Sequence, residues 1–117
     1  MNENNNVTIS EDVIVTIANI ATKEVDGVAG LHTGMVDTII DKFTGTNWSG
    51  GVSAVIEDGK ILVSLIINVV YNNKIYDVAK QVQENVKNAI ETMTEMKVSE
   101  VNVHVHSVVV VPDKSDK

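Results

Sequence analysis

Apolar side chains recur at helical spacing in two long segments of the chain. The first segment covers about residues 11–25 and follows Ser10, a residue type that often caps helix N-termini. The second covers about residues 75–93 and carries polar side chains on its opposite face. We therefore predict two amphipathic helices with the apolar stripes Val13, Ile14, Ile17, Ala18, Ala21 and Val25, and Ile75, Val78, Ala79, Val82, Val86, Ala89, Ile90 and Met93.

Between and after these helices, the pattern changes to the alternation that is typical of strands. Residues 52–57 and 60–71 flank Asp58-Gly59, which predicts a type I′ hairpin turn because both positions of that turn need positive φ. Residues 98–111 predict a last strand, and Val28–Leu31 is long enough for a brief strand or an extended turn. A glycine-rich loop over residues 44–51 precedes the hairpin.

The order helix, hairpin, helix, strand predicts an α+β fold. Two amphipathic helices can cover only one face of a small sheet, so we expect both on one face of a three- to four-stranded mixed sheet. The last strand follows a helical crossover and should run parallel to one strand of the hairpin. We expect a single domain over residues 7–111, with disordered tails at residues 1–6 and 112–117.

The face of the sheet away from the helices is the main functional candidate. Because side chains alternate along a strand, Ile66 and Val70 must point away from the core-facing Leu65 and its neighbours. A sheet face that is half aliphatic and half polar is a plausible contact surface. The candidate interaction residues are Ile66, Asn68, Val70, His104, His106 and the only tryptophan, Trp48.

A further, shorter amphipathic segment could determine whether this face is open or covered. Residues 35–43 also show helical spacing, with Met35, Val36, Ile39, Ile40 and Phe43 on one side. This segment is interpreted either as a small helix that covers the edge of the core or as a mobile flap that meets a partner. The sequence leaves both interpretations open.

No grouping of residues indicates catalysis. There is no nucleophile elbow, phosphate-binding glycine loop or dinucleotide fingerprint, and the acidic residues are scattered singly or at helix starts. We therefore predict a protein that is not an enzyme, with no cofactor and no resident metal. The absence of cysteine excludes disulfides and thiolate metal sites.

His104 and His106 form the one spacing that suggests metal ligands. Residues i and i+2 of a strand share a face, so both imidazoles could meet one metal ion. A zinc site needs further ligands, for which His32, Glu57 and Glu100 are the candidates, and nothing in the sequence brings them close. A metal- or small-ligand-binding protein, or an accessory subunit of a partner enzyme, therefore remains the alternative function.

The net charge of the chain limits the classes of partner that it can bind. The 117 residues carry a formal net charge of −7, and all nine cationic residues are lysine. An acidic chain without arginine is a poor ligand for nucleic acid or anionic lipid. The longest apolar run is much shorter than the ~20 residues that a spanning helix requires. We expect a cytoplasmic protein without direct membrane insertion.

Six short motifs occur in order over most of the chain. They are Ile9-Ser10-Glu11-Asp12-Val13-Ile14 with Ile17-Ala18, Glu24-Val25-Asp26-Gly27-Val28, Gly51-Val52, Val69-Val70-Tyr71 with Ile75, Val78-Ala79 with Gln83 and Val86, and Val101-Asn102-Val103-His104-Val105. Together they resemble the alkaline-shock-protein family of Gram-positive bacteria, also called the Gls or envelope stress response family. Asn72 and the segment Thr94-Glu95-Met96 stand where the family often has glycine.

The resemblance implies a non-enzymatic, cytoplasmic protein of cell-envelope homeostasis. Some members of that family self-associate and are held at the membrane by a small anchored partner. The resemblance thus implies an interaction or self-assembly module, a homo-oligomer with a protein partner, and no carried-over catalytic residue.

Overall fold

The computed structural model describes residues 6–34 and 48–111, which form two helices and one mixed sheet. Residues 1–5, residues 112–117 and the amphipathic segment at residues 35–43 lie outside the described residues, so the predictions made for them stay predictions. The predicted α+β architecture is confirmed.

Helix α1 spans Glu11–Lys23 and starts where its N-cap predicts. Ser10 has extended backbone, and its carbonyl accepts a hydrogen bond from the Val13 amide at 3.1 Å. The helix ends before Val25, which is nevertheless buried in the following turn. Val13, which was predicted in the apolar stripe, is 43% exposed. The side that meets the core is Ile14, Ile17, Ala18, Ala21 and Thr22.

Helix α2 spans Ile75–Thr94 and follows its predicted range closely. Every fourth residue of its middle turns is buried, at Val78, Val82, Val86 and Ile90. The two ends of the predicted stripe, Ile75 and Met93, are exposed, so only the middle of the stripe meets the core.

Strand β4, Lys60–Val70, is the centre of the sheet. Strand β3, Val52–Glu57, pairs antiparallel with its first half, and strand β1, Val28–Leu31, pairs antiparallel with its last residues. Strand β5, Lys97–Val109, runs parallel to β4 along its whole length, as the crossover predicts. Because β5 occupies one edge of β4, strands β1 and β3 share the other edge end to end.

The sheet has one more strand than the sequence predicts. Trp48 and Ser49, which were predicted to be loop, form the short strand β2 and pair antiparallel with β3. The predicted hairpin turn is confirmed, since Asp58 and Gly59 have φ of 54° and 74°. Asn72, and Glu95 within the segment Thr94-Glu95-Met96, also have positive φ.

The core lies between the sheet and both helices. Ile61, Val63, Leu65, Ile67 and Val69 of β4 all face this core and are fully buried, which confirms the predicted alternation. Helix α1 packs on β1 and β3, and α2 packs on β5. The Asn85 amide of α2 donates to the Ala21 carbonyl of α1 at 2.7 Å and joins the two helices.

Candidate functional site

The candidate interaction residues lie on the sheet face that points away from the helices, here called the second face. Strand register places its side chains in rows across β3, β4 and β5. One row is Ser53, Ser64 and Asn102; the next joins Ile66 to His104, and a third joins Asn68 to Ser107. The sequence placed Ile66, Asn68 and His104 on this face correctly because β4 alternates without a break and β5 is regular from Glu100 to Val105.

The second face is not open throughout, which corrects the expectation for Ile66. Ile66 is only 3% exposed, and the neighbouring Ser53 and Ser64 are 1% and 0% exposed. Asn68, Val70, His104 and Trp48 are half-buried, and only His106 of the candidate residues is exposed. Ile66 is therefore an interior residue of the single chain, whereas the rest of the candidate set borders the surface.

Two buried hydroxyls lie at the centre of the second face. Ser53 and Ser64 are directly opposite each other on β3 and β4. Within residues 6–34 and 48–111, neither Oγ atom has a hydrogen-bond partner.

Three histidines meet where β1, β4 and β5 come together. His32 follows β1, and its backbone amide donates to the Ile66 carbonyl at 2.8 Å. Its imidazole ring centre lies 4.0 Å from that of His106, with the rings tilted by 35°. The ring centres of His104 and His106 are 6.3 Å apart. We call His32, His104 and His106 the histidine cluster.

A β-bulge helps to assemble the histidine cluster. The register of β5 against β4 shifts between the pairs Ile67–Val105 and Asn68–Ser107, and the residue left over is His106. A bulge re-aims the side chain of its extra residue, which here meets the ring of His32. Sequence reasoning named His32 as a possible neighbour but could not place it, because the pairing of β1 with β4 is long-range.

Burial and a neighbouring imidazole make His104 reluctant to take up a proton. Burial lowers the pKa of His104 below its usual value of 6.5, and the nearby His106 lowers this pKa further. Both causes favour the neutral imidazole, since a charge there would be desolvated and would face a second charge.

The histidine cluster has the ligand type, but not the arrangement, of a metal centre. Imidazole suits zinc, copper and nickel. However, His32 and His106 stack on each other, and within residues 6–34 and 48–111 no three His, Cys, Asp or Glu residues are placed so that they could hold a metal ion. Neighbouring polar groups also pair with each other, since Ser107 Oγ donates to Asn68 Oδ1 at 2.7 Å.

A group of exposed apolar side chains was missed by the sequence reasoning. Both tyrosines of the chain are exposed. Tyr71 lies at the end of the sheet, where its amide donates to the Val109 carbonyl at 2.8 Å, and Tyr76 lies in the first turn of α2. The signal was available, because Tyr76 lies off the apolar stripe of α2. We define the end patch as Tyr71, Ile75, Tyr76, Val108 and Val110, all exposed.

Neither α1 nor α2 combines the length and the apolar character that a membrane-spanning helix needs.

Comparison with protein families gives one match over nearly the whole chain. Residues 1–110 match the model of the alkaline shock protein family, which is described as having a cell envelope-related function. Relatives occur in Gram-positive bacteria. The uncharacterised protein YqhY of Bacillus subtilis is 33% identical over 85% of this chain and 73% of its own length. The uncharacterised protein Spy1535 of Streptococcus pyogenes is 33% identical over 88% of this chain and 78% of its own.

Solved structures of other proteins share this fold. The nickel form of a MamM CTD variant superposes with a TM-score of 0.51, covering 82% of this chain and 96% of that one, at 18% identity. The copper form of another variant gives the same TM-score at 17% identity, covering 82% and 95% of the two chains. At this identity the likeness concerns the fold.

Proposed function

We propose that this chain acts as a non-enzymatic interaction and self-assembly module. It belongs to the alkaline shock protein family, which has a cell envelope-related function. The six ordered motifs predicted this family, and the match to the family model confirms the prediction. What remains proposed is the mode of action: cytoplasmic, through protein contacts, and at the membrane through an anchored partner.

The end patch is the observation that carries this proposal. Tyrosine is enriched among residues that dominate protein interfaces, and Tyr76 is 81% exposed. Exposed apolar side chains that cluster at one end of a domain are typical of a contact surface. In the described residues, by contrast, no nucleophile is paired with a base in a catalytic arrangement.

The charge of the chain supports protein partners over lipid. With a net charge of −7 and no arginine, the isolated protein is repelled by anionic membranes. Association with a membrane would then depend on a second protein. We expect the purified protein to stay in the supernatant with anionic vesicles at physiological salt, and to sediment with membranes from its native host.

Capture from the native host tests the proposal. A tagged chain is compared with Tyr76→Ser in pull-downs from the membrane and soluble fractions, with Asn88→Ser as the matched control on the exposed face of α2. We expect the Tyr76 change to reduce capture of the partner and the control to leave it intact. Equal capture by both variants, with the protein monomeric in solution, would contradict an interface role for the end patch.

A second candidate function is ligand binding at the histidine cluster. The observation that favours it is the approach of His32 to His106, which adds a third imidazole to the pair that the sequence suggested. Metal analysis of purified protein, compared with a variant in which His104 and His106 are both Gln, distinguishes the candidates. Stoichiometric zinc, copper or nickel that disappears in the double variant would favour ligand binding.

A further inference from the structure

Strand β5 is an edge strand of unusual length. Its 13 residues pair with β4 on one side, and on its other side no strand pairs with it within the described residues. Register shifts at Ser99 and His106 interrupt it, which leaves a regular stretch from Glu100 to Val105. Bulges commonly protect strand edges, so this short regular stretch is where another strand can be added.

The outer edge of β5 faces a groove along α2. Gln83 Nε2 of α2 donates to the Val101 carbonyl at 3.0 Å and divides this groove. On one side is a hollow of about 240 Å³ lined by Lys87, Val98 and Val101 among others, and on the other is a hollow of about 250 Å³ that contains Tyr76 and Val103. The carbonyl of Val101 keeps a second lone pair, so the Gln83 contact does not exclude strand pairing.

Charge identifies a second copy of this chain as the occupant. Two chains of net charge −7 repel each other wherever carboxylates meet. Residues 101–111 contain no aspartate or glutamate, and histidine is their only ionisable residue type. From Val101 onward the outer edge of β5 is therefore a surface along which two copies can approach with little repulsion, whereas Glu84 and Glu100 line the hollow at its other end together with Lys87.

We propose that β5 pairs antiparallel with β5 of a second copy, centred on Asn102. An isologous dimer places residue i opposite j and j opposite i, so identical strands must run antiparallel. Centring on Asn102 keeps the core-side residues together, with Val101 opposite Val103 of the other copy. It also places Glu100 of each copy opposite His104 of the other, so that the one carboxylate of the regular stretch does not face a second carboxylate.

This dimer depends on the proposed self-assembly function, and it specifies the surface through which two copies would associate. Strand pairing alone buries less than the ~1,200 Å² of a stable interface. The exposed side chain of Tyr76 lines the hollow beside β5. Approach of the second copy would therefore bury this side chain in addition to pairing the strands. The two sheets would form one continuous sheet with both α2 helices on the same side.

A single cysteine tests the register directly, because the chain has none of its own. In the proposed dimer the two Asn102 residues are directly opposite, where Cβ atoms are about 4.5–5.5 Å apart and a disulfide can form with slight adjustment. We expect Asn102→Cys to give a covalent dimer under mild oxidation, several-fold faster than Asn88→Cys on the exposed face of α2. Circular dichroism verifies that both variants are folded.

An added charge tests the same pairing without a cross-link. Asn102→Glu would place two carboxylates directly opposite each other across the paired strands, and we expect it to weaken the dimer several-fold in analytical ultracentrifugation. Asn88→Glu makes the same change in charge on the exposed face of α2 and should not weaken it.

The outcomes separate this inference from the function on which it rests. A wild-type oligomer in which Asn102→Cys cross-links no faster than Asn88→Cys overturns the β5 pairing but leaves self-assembly intact. A wild-type monomer at all accessible concentrations overturns both.

Discussion

The imidazole ring centres of His32 and His106 lie 4.0 Å apart, although His32 follows strand β1 and His106 lies in strand β5. The contact depends on two separate features of the sheet. Strand β1 must pair with the end of β4, and β5 must bulge at His106. A mixed sheet thus brings three imidazoles to one corner, where protonation of His104 should affect stability.

Acidification should weaken the fold through His104. The pKa of His104 is lowered in the folded chain, so the unfolded chain binds more protons as the pH falls below about 6.5. The free energy of unfolding should therefore be higher near neutrality and decrease as the pH falls through that value. Urea unfolding at several pH values measures this slope.

The control for the pH effect is His104→Gln, which removes the titrating group. Its free energy of unfolding should depend less steeply on pH between about 7.5 and 5.5, where carboxylates titrate little. Identical slopes for wild type and variant would show that His104 does not carry the effect.

The burial of Ile66 predicts that the two aliphatic residues of the second face respond differently to charge. Ile66→Lys places an ammonium in the interior and should unfold the domain or cost more than about 3 kcal/mol. Val70→Lys is the matched control, because Val70 is half-buried at the end of β4 and its lysine can reach water. Thermal unfolding followed by circular dichroism measures both. An Ile66→Lys protein as stable as Val70→Lys would show that the second face is open after all.

Glu95 should be replaceable by glycine with a gain in stability. It ends α2 with φ of 60°, a conformation that costs a non-glycine residue about 1 kcal/mol. We expect Glu95→Gly to raise the free energy of unfolding by about 1 kcal/mol. Glu95→Ala keeps the strained backbone and controls for loss of the side chain. A gain of equal size in both variants would assign the effect to charge instead.

Val82 should be intolerant of charge, because it lies at the centre of the stripe by which α2 packs on the sheet. It is fully buried, so Val82→Asp leaves a carboxylate in the core without a partner and should unfold the domain. Gln81→Asp, one position earlier on the exposed face, makes a comparable charge change and should remain folded. A cooperative thermal transition in the Val82 variant near that of wild type would contradict a core role for this helix.

The local pattern of the chain was sufficient to determine most of its elements, although not the short strand β2. Helical spacing located α1 and α2, alternation located β3 and β4, and the chemistry of Asp58-Gly59 determined the hairpin turn. These signals are local, because helix and hairpin hydrogen bonds join residues that are close in sequence. The alternation along β4 also separated core from second face, and Leu65 and Ile67 are fully buried on the core side as expected.

Tertiary structure decided which of these surfaces are exposed and which side chains meet. Alternation shows that Ile66 points away from Leu65, but only packing determines that it is buried. The pairing of β1 with β4 and the bulge at His106 create the histidine cluster, and neither has a local signature. The place of β5 at one edge of the described sheet likewise follows from its pairing with β4. Long-range pairing is set by the summed burial of the whole core, which the spacing of residues in one segment does not encode.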